Sequence, residues 1–140
     1  MKTKINIAIN HLQHAGIPVS DIRVSEEFYN GLGFTNIMES EFILEDKSGI
    51  CIMMENNGAM VELYQLPDHM LDEIKTRKDG HVDHIAFDVD DVDKAFETLK
   101  NASYTVLEDK PVQLSFWKNG CKYFNILGPD GEKLEFNQIL

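Results

Sequence analysis

The chain has 140 residues, of which 43% are hydrophobic, 26% charged and 9% aromatic, ordinary globular usage for about one compact domain. Its 13 basic and 24 acidic residues leave a formal charge of −11, which repels phosphate backbones and anionic lipid and argues against general nucleic-acid or membrane binding. There is no run of roughly 18 apolar residues, so no membrane-spanning helix is expected.

In chain order, the opening MKTKINIAIN alternates apolar and polar residues and lacks the continuous apolar stretch of a secretory leader. A short alternating strand is expected at 13–19, then a helix capped by Ser20-Asp21 with Val24, Phe28, Tyr29 and Leu32 as its buried stripe. Gly31 and Gly33 end that helix. Three strands follow at about 35–45, 50–56 and 59–65, the last two joined by the turn Asn56-Asn57-Gly58. Residues 68–78 read as an amphipathic helical linker. The pattern then restarts with a strand at 83–89 and a helix capped by Asp90-Asp91 that buries Val92, Ala95, Phe96 and Leu99. Strands at about 104–109, 121–127 and 133–138 complete the chain, with a turn at Gly128-Pro129-Asp130-Gly131.

The restart is an internal repeat. His14 and His84 align at an offset of 70, each followed seven residues later by an Asp, Asp21 and Asp91. Phe34 matches Tyr104, Thr35 matches Thr105, and Cys51 matches Cys121. After a three-residue slip, Gly58-Ala-Met-Val-Glu62-Leu matches Gly131-Glu-Lys-Leu-Glu135-Phe. A single domain of two β-α-β-β-β modules is expected, with module one at about 12–66, a linker at about 67–80 and module two at about 81–139. Cys51 and Cys121 lie 70 apart without a CxxC pattern and read as reduced thiols of a cytoplasmic protein.

Strand parity sorts the side chains. Ile85, Phe87 and Val89 share the face that packs on helices, leaving His84, Ala86 and Asp88 on the other; Ala15, Ile17 and Val19 oppose His14, Gly16 and Pro18 in the same way. Glu62 and Glu135 likewise oppose their apolar neighbours. Each module therefore offers one His and one Glu on its polar face, 48 residues apart in the first and 51 in the second. Two imidazoles and two carboxylates suit a divalent first-row metal, with room left for water or substrate. A lone strand His is ordinarily a hydrogen-bonded structural residue, but its repetition in register points to a ligand.

The segments HAGIPVSDIRVSEEFYNGLGF, GAMVELYQ, HIAFDVDDVDKAFETL and LGPDGEKLEF resemble the vicinal oxygen chelate (VOC) superfamily, the glyoxalase/bleomycin-resistance/dioxygenase fold, over about 12–139. The resemblance implies an α+β fold in which two tandem βαβββ modules form a curved mixed sheet around a metal cup. It places the metal ligands on His14, Glu62, His84 and Glu135. Glyoxalase I and some epimerases fill all four positions, whereas extradiol dioxygenases and fosfomycin-resistance enzymes lack the ligand matching Glu62 and bleomycin-binding members use no metal. The nearest likeness is to glyoxalase I (lactoylglutathione lyase), which implies proton transfer next to a carbonyl through a metal-stabilised enediolate. Glu135 would then be the catalytic base and Glu62 its partner. One divalent metal is implied per site, Ni, Co or Zn ahead of Mn or Fe, with a small chelating substrate and a homodimer whose sites are built within one chain or across two.

Two departures bear on the substrate. Glyoxalase I usually carries an Arg four residues after its first ligand and an Asn four residues after its second, to hold glutathione; here these are Pro18 and Leu66. Arg23, Lys118 and Lys122 are the candidate replacements. Methylmalonyl-CoA epimerase is the alternative, but its Gly-Ala-His-Gly segment is replaced by Ser115-Phe-Trp-Lys-Asn-Gly120. A non-catalytic binding protein and a dioxygenase are the remaining readings. Tyr123, Asn125 and Met53 are candidate substrate-binding residues, Met53 as the repeat mate of Tyr123. Phe116 and Trp117 either cover the site or anchor their loop, and His11, His69 and His81 read as surface. No GxSxG elbow, P-loop, HExxH or complete dinucleotide fingerprint is present.

Overall fold

The same local devices are used twice along the backbone. The computed structural model describes residues 4–31, 33–77, 82–127 and 133–140, and they fall into two compact units, His14–Asp83 and Met1–Gln13 with His84–Leu140. Among the described residues no helix is long and apolar enough to cross a membrane.

The unit His14–Asp83 takes the second half of strand β1 (Ile9–Pro18), helix α1 (Ile22–Gly31) and strands β2 (Thr35–Leu44), β3 (Lys47–Asn56) and β4 (Ala59–Gln65). The strand order is β2-β3-β4-β1, with β1 parallel to β4 and the other pairs antiparallel. Both hairpin turns use two residues at positive φ, Glu45-Asp46 (51° and 61°) and Asn57-Gly58 (50° and 89°), the geometry that matches strand twist. Asp21 caps α1 by accepting from the backbone N–H groups of Arg23 at 3.0 Å and Val24 at 3.2 Å. Gln65, at the end of β4, accepts from the Ile22 N–H at 2.8 Å. At the other end Gly33 turns the chain at φ 92°, and the Phe34 N–H donates to the Tyr29 carbonyl at 3.0 Å, a Schellman closure. A 3₁₀ turn (Asp68–Met70) and helix α2 (Leu71–Thr76) fill the linker as expected, burying Leu71 and Ile74.

The second unit repeats this with β5 (His84–Val89), α3 (Val92–Asn101), β6 (Val112–Leu114), β7 (Cys121–Leu127) and β8 (Lys133–Ile139), ordered β5-β8-β7-β6 with β5 parallel to β8. Asp91 caps α3 through the Lys94 N–H at 3.0 Å, and Gln138 accepts from the Val92 N–H at 3.1 Å. Ser103 stands where the first unit has Gly33, at φ 63°, and the Tyr104 N–H donates to the Leu99 carbonyl at 3.1 Å. Val92, Ala95, Phe96 and Leu99 are all buried, the stripe the sequence pattern predicts. They meet Phe124 and Phe136, whose rings stack at 5.2 Å, with Phe96 edge-on to Phe124 at 5.3 Å. Such ring pairs contribute about 1 kcal/mol each beyond area burial.

Four expectations are corrected. Val24 and Phe28 are 63% and 62% exposed, and α1 instead buries Ile22 and packs Tyr29 against the core of Val19, Ile52, Met54 and Leu63. The buried face runs from Ile22 to Tyr29, seven residues on, and Val24 and Phe28 fall off it. No strand spans 104–109: Val106 makes one bridge to Ile126, and β6 forms later, at Val112–Leu114. The break has a cause, because the Glu108 carboxylate takes the Asn125 N–H that a strand carbonyl would otherwise take. Cys51 pairs across to Tyr64, whereas Cys121 pairs to Ile139, so the two cysteines are not structural equivalents. Met53 opposite Glu62 corresponds to Asn125 opposite Glu135, so the true mate of Met53 is Asn125 and not Tyr123. Leu32, His81 and the turn at 128–131 lie outside the described residues.

The glutamine bonds to helix starts are a testable part of this scheme. Gln138→Ala should lower stability by about 1 kcal/mol in urea denaturation, the usual loss of one cap acceptor, while Gln138→Glu should retain it.

Candidate functional site

The parallel pairing in each unit determines which side chains meet. Gly16 registers with Glu62 and Ala86 with Glu135, so each His stands two residues before the partner of a Glu, on the same face. In the first unit His14 Nε2 lies 3.6 Å from Glu62 Oε2, the imidazole fully covered and the carboxylate 12% exposed. In the second, His84 Nε2 lies 3.3 Å from Glu135 Oε2, at 7% and 8% exposure. Each unit thus brings together its own predicted His and Glu.

These separations are long for charge-assisted hydrogen bonds, which cluster at about 2.7–2.9 Å. Two ligand atoms each about 2.0–2.2 Å from a common ion stand about 3.0–3.5 Å apart, so the pairs approximate ligand spacing. Imidazole nitrogen and carboxylate oxygen are also the donors a borderline divalent metal takes. The residues present fit such an ion.

The second unit surrounds its carboxylate with amides. Asn137 Nδ2 donates to Glu135 Oε1 at 2.7 Å, leaving Oε2 toward His84. Gln13 Nε2 in turn donates to Asn137 Oδ1 at 3.2 Å and to Asp88 Oδ1 at 3.0 Å, and Asn10 donates to Asp88 and Asp90 at 2.7 and 2.9 Å. Gln13, Asn137 and Glu135 are all buried. This chain orients the carboxylate as outer partners orient metal ligands. Burial pushes the Glu135 carboxyl above its ordinary range, the nearby Glu108 adds to the rise, and His84 and Asn137 oppose it. In the first unit the position equivalent to Asn137 is Tyr64, whose hydroxyl hydrogen-bonds Asp83 and which burial pushes well above the normal tyrosine range.

The remaining candidates separate by position. Met53 is fully buried opposite Glu62; Asn125 and Tyr123 lie opposite Glu135 and Asn137, on the ligand side of β7, while Phe124 and Ile126 face the helix. Phe116 is buried and Trp117 adopts φ 66°. Arg23 is engaged by Glu26 and Glu39, and Lys122 by Asp93 at 2.7 Å, so neither is spare for a substrate carboxylate; Lys118 is exposed. His11 is exposed and His69 pairs with Glu45 at 3.0 Å. Sequence reasoning missed Gln13, Glu108 and Asn137. Parity alone marks Asn137, two residues beyond Glu135; Glu108 was hidden inside a strand that does not form.

A family model described as Glyoxalase/Bleomycin resistance protein/Dioxygenase superfamily matches residues 9–136. The uncharacterised protein YwbC of Bacillus subtilis is 29% identical over 131 residues, 91% of this chain and 96% of that protein. Methylmalonyl-CoA epimerase from Mycobacterium tuberculosis superposes with a TM-score of 0.76 at 19% identity, over 99% of this chain and 93% of that one. A Streptomyces coelicolor methylmalonyl-CoA epimerase variant in complex with 2-nitronate-propionyl-CoA gives 0.75 at 22% identity, over 94% and 95%. At these identities the structural likeness shows the fold, α+β with two βαβββ modules.

The raised Glu135 carboxyl has a consequence without metal. Because the folded state holds this proton more tightly, stability falls as pH climbs from the ordinary value of 4.5 through the raised one. In chelator at pH 7.5, Glu135→Gln should melt higher than wild type by about 3 °C, and the gap should close as the pH approaches 4.5.

Proposed function

Because this chain belongs to the Glyoxalase/Bleomycin resistance protein/Dioxygenase superfamily, we propose that it is a metal-dependent lyase or isomerase of the glyoxalase I type, moving a proton beside a carbonyl. The observation that carries the reading is the repeated His–Glu pair at near-ligand spacing, His14 with Glu62 and His84 with Glu135. We take the four side chains as one ligand set. A divalent first-row ion held there, with Ni, Co or Zn as the first candidates, would polarise two vicinal oxygens of the substrate and acidify the neighbouring C–H.

The protein groups do the proton work. Glu135, anchored at Oε1 by Asn137, would accept the substrate's carbon-bound proton on Oε2 when that oxygen is not serving as a ligand. It would return the proton to the adjacent carbon while the hydroxyl proton passes between the two vicinal oxygens. Burial raises its basicity, which favours taking a proton from a weak carbon acid. Glu62 serves as the partner carboxylate from the first module. Glutathione is a poor fit as carrier, since Pro18 and Leu66 occupy the usual anchor positions and Arg23 and Lys122 are already ion-paired. The buried thiols Cys51 and Cys121 suit a reducing, cytoplasmic setting, and a homodimer remains part of the proposal.

A second reading is favoured by the similarity to methylmalonyl-CoA epimerases. There the proton would return to the same carbon from the opposite face, giving epimerisation without net conversion. Solvent exchange tells the two apart.

Untagged wild-type protein should carry near-stoichiometric first-row metal, and His84→Ala should lose it. Glu135→Gln should cut deuterium exchange into 2-oxoaldehyde thiol adducts or epimerisable thioesters by about 10²-fold or more. Wild-type protein that stays empty after Ni, Co, Zn and Mn reconstitution would sink the catalytic reading in favour of a binding protein.

A further inference from the structure

Among the described residues, two buried side-chain polar atoms have no hydrogen-bond partner, Trp117 Nε1 and Asn125 Oδ1. A buried acceptor left unpaired is costly and calls for a partner that arrives later. Asn125 is the informative case. It registers directly opposite Glu135, so its side chain leaves the sheet on the same side, with β-carbons about 5 Å apart. Its own orientation is not adjustable. Nδ2 donates to Glu108 Oε1 at 2.7 Å while the Asn125 backbone N–H donates to Glu108 Oε2 at 2.7 Å. Both Glu108 oxygens accept from Asn125, and turning the amide would set its oxygen against one of them, acceptor against acceptor. The oxygen is thereby forced to the unpaired position, in a residue only 7% exposed.

We propose that Asn125 Oδ1 is a specificity-determining acceptor for a hydroxyl or N–H donor on the substrate next to the carbon that Glu135 serves. The substrate then carries a hydroxyl or N–H on the carbon beside its carbonyl, and a malonyl-type carboxylate at that place is disfavoured. A carboxylate offers no donor to Oδ1, and it would crowd its oxygens against the carboxyl groups of Glu108 and Glu135. This inference rests on the proton-transfer reading above, and it goes further by naming the atom that chooses the substrate. Glu108 acts as a positioning residue, through the amide it clamps.

The test uses Ni-loaded full-length protein and three N-acetylcysteamine thioesters: of lactate, of its O-methyl ether, and of methylmalonate. Binding is read by calorimetry and proton exchange by NMR in D2O. Wild type should prefer the lactate thioester over its methyl ether by about 100-fold or more, as sites built around a substrate hydroxyl do. Asn125→Leu should bring that ratio to within about 5-fold by weakening the lactate thioester alone, since an apolar side chain cannot tell the two apart. A merely structural Asn125 would weaken both probes together and leave the ratio intact. Should Asn125→Leu not fold, Glu108→Gln carries the test: freeing the amide to turn should also collapse the ratio. An unchanged ratio in these variants, preference for the methylmalonate thioester, or no binding of any probe by the Ni-loaded protein overturns the assignment. Metal content separates the two levels. Protein that takes up Ni and exchanges protons without regard to the hydroxyl overturns only this inference; protein that takes up no Ni overturns both.

Discussion

The parallel pairing of β1 with β4, and of β5 with β8, is the constraint on which the rest of the structure depends. In each unit it places a His two residues before the register partner of a Glu, and alternation then puts both on one face. The other face is closed by a helix over Ile52, Met54 and Leu63 in one unit and over Phe124, Ile126 and Phe136 in the other. With the apolar residues committed to the helices, the polar pairs are left on the opposite side, His14, His84 and Glu135 buried and Glu62 mostly covered. Buried imidazoles and carboxylates require partners, and their near-ligand spacing is the form this requirement takes.

Much of this was legible in the chain. The His-to-Asp spacing, repeated at an offset of 70, marked the strand-to-helix passage in both copies, and Asp21 and Asp91 do cap the helices. The strands expected at 121–127 and 59–65 formed at those positions. Parity put each His and Glu on the polar face of its module, and the parallel register then brought them together. Helix-face assignment in the first copy was weaker, because Val24 and Phe28 satisfy a helical period while Ile22 and Tyr29 hold the packed positions.

What the sequence concealed are side chains that substitute for backbone. Gln65 and Gln138 reach from strand ends to satisfy the first N–H groups of helices, a bond that depends on tertiary proximity and has no local signature. Glu108 does the same for Asn125, and in doing so it cancels the strand that an apolar pattern around 104–109 suggests. The cysteine match was misleading for a related reason. A two-residue change of offset in β7 preserves which face each residue occupies while changing its cross-strand partner, so Cys121 keeps its burial and loses its equivalence to Cys51.

The mismatch between Met53 and Asn125 marks where the two copies have diverged. These residues hold corresponding places, opposite Glu62 and opposite Glu135. The His–Glu pair itself is duplicated. Beside one carboxylate stands a thioether and beside the other an oriented amide. The duplication thus keeps its likeness in the paired side chains and gives it up in the residues next to them.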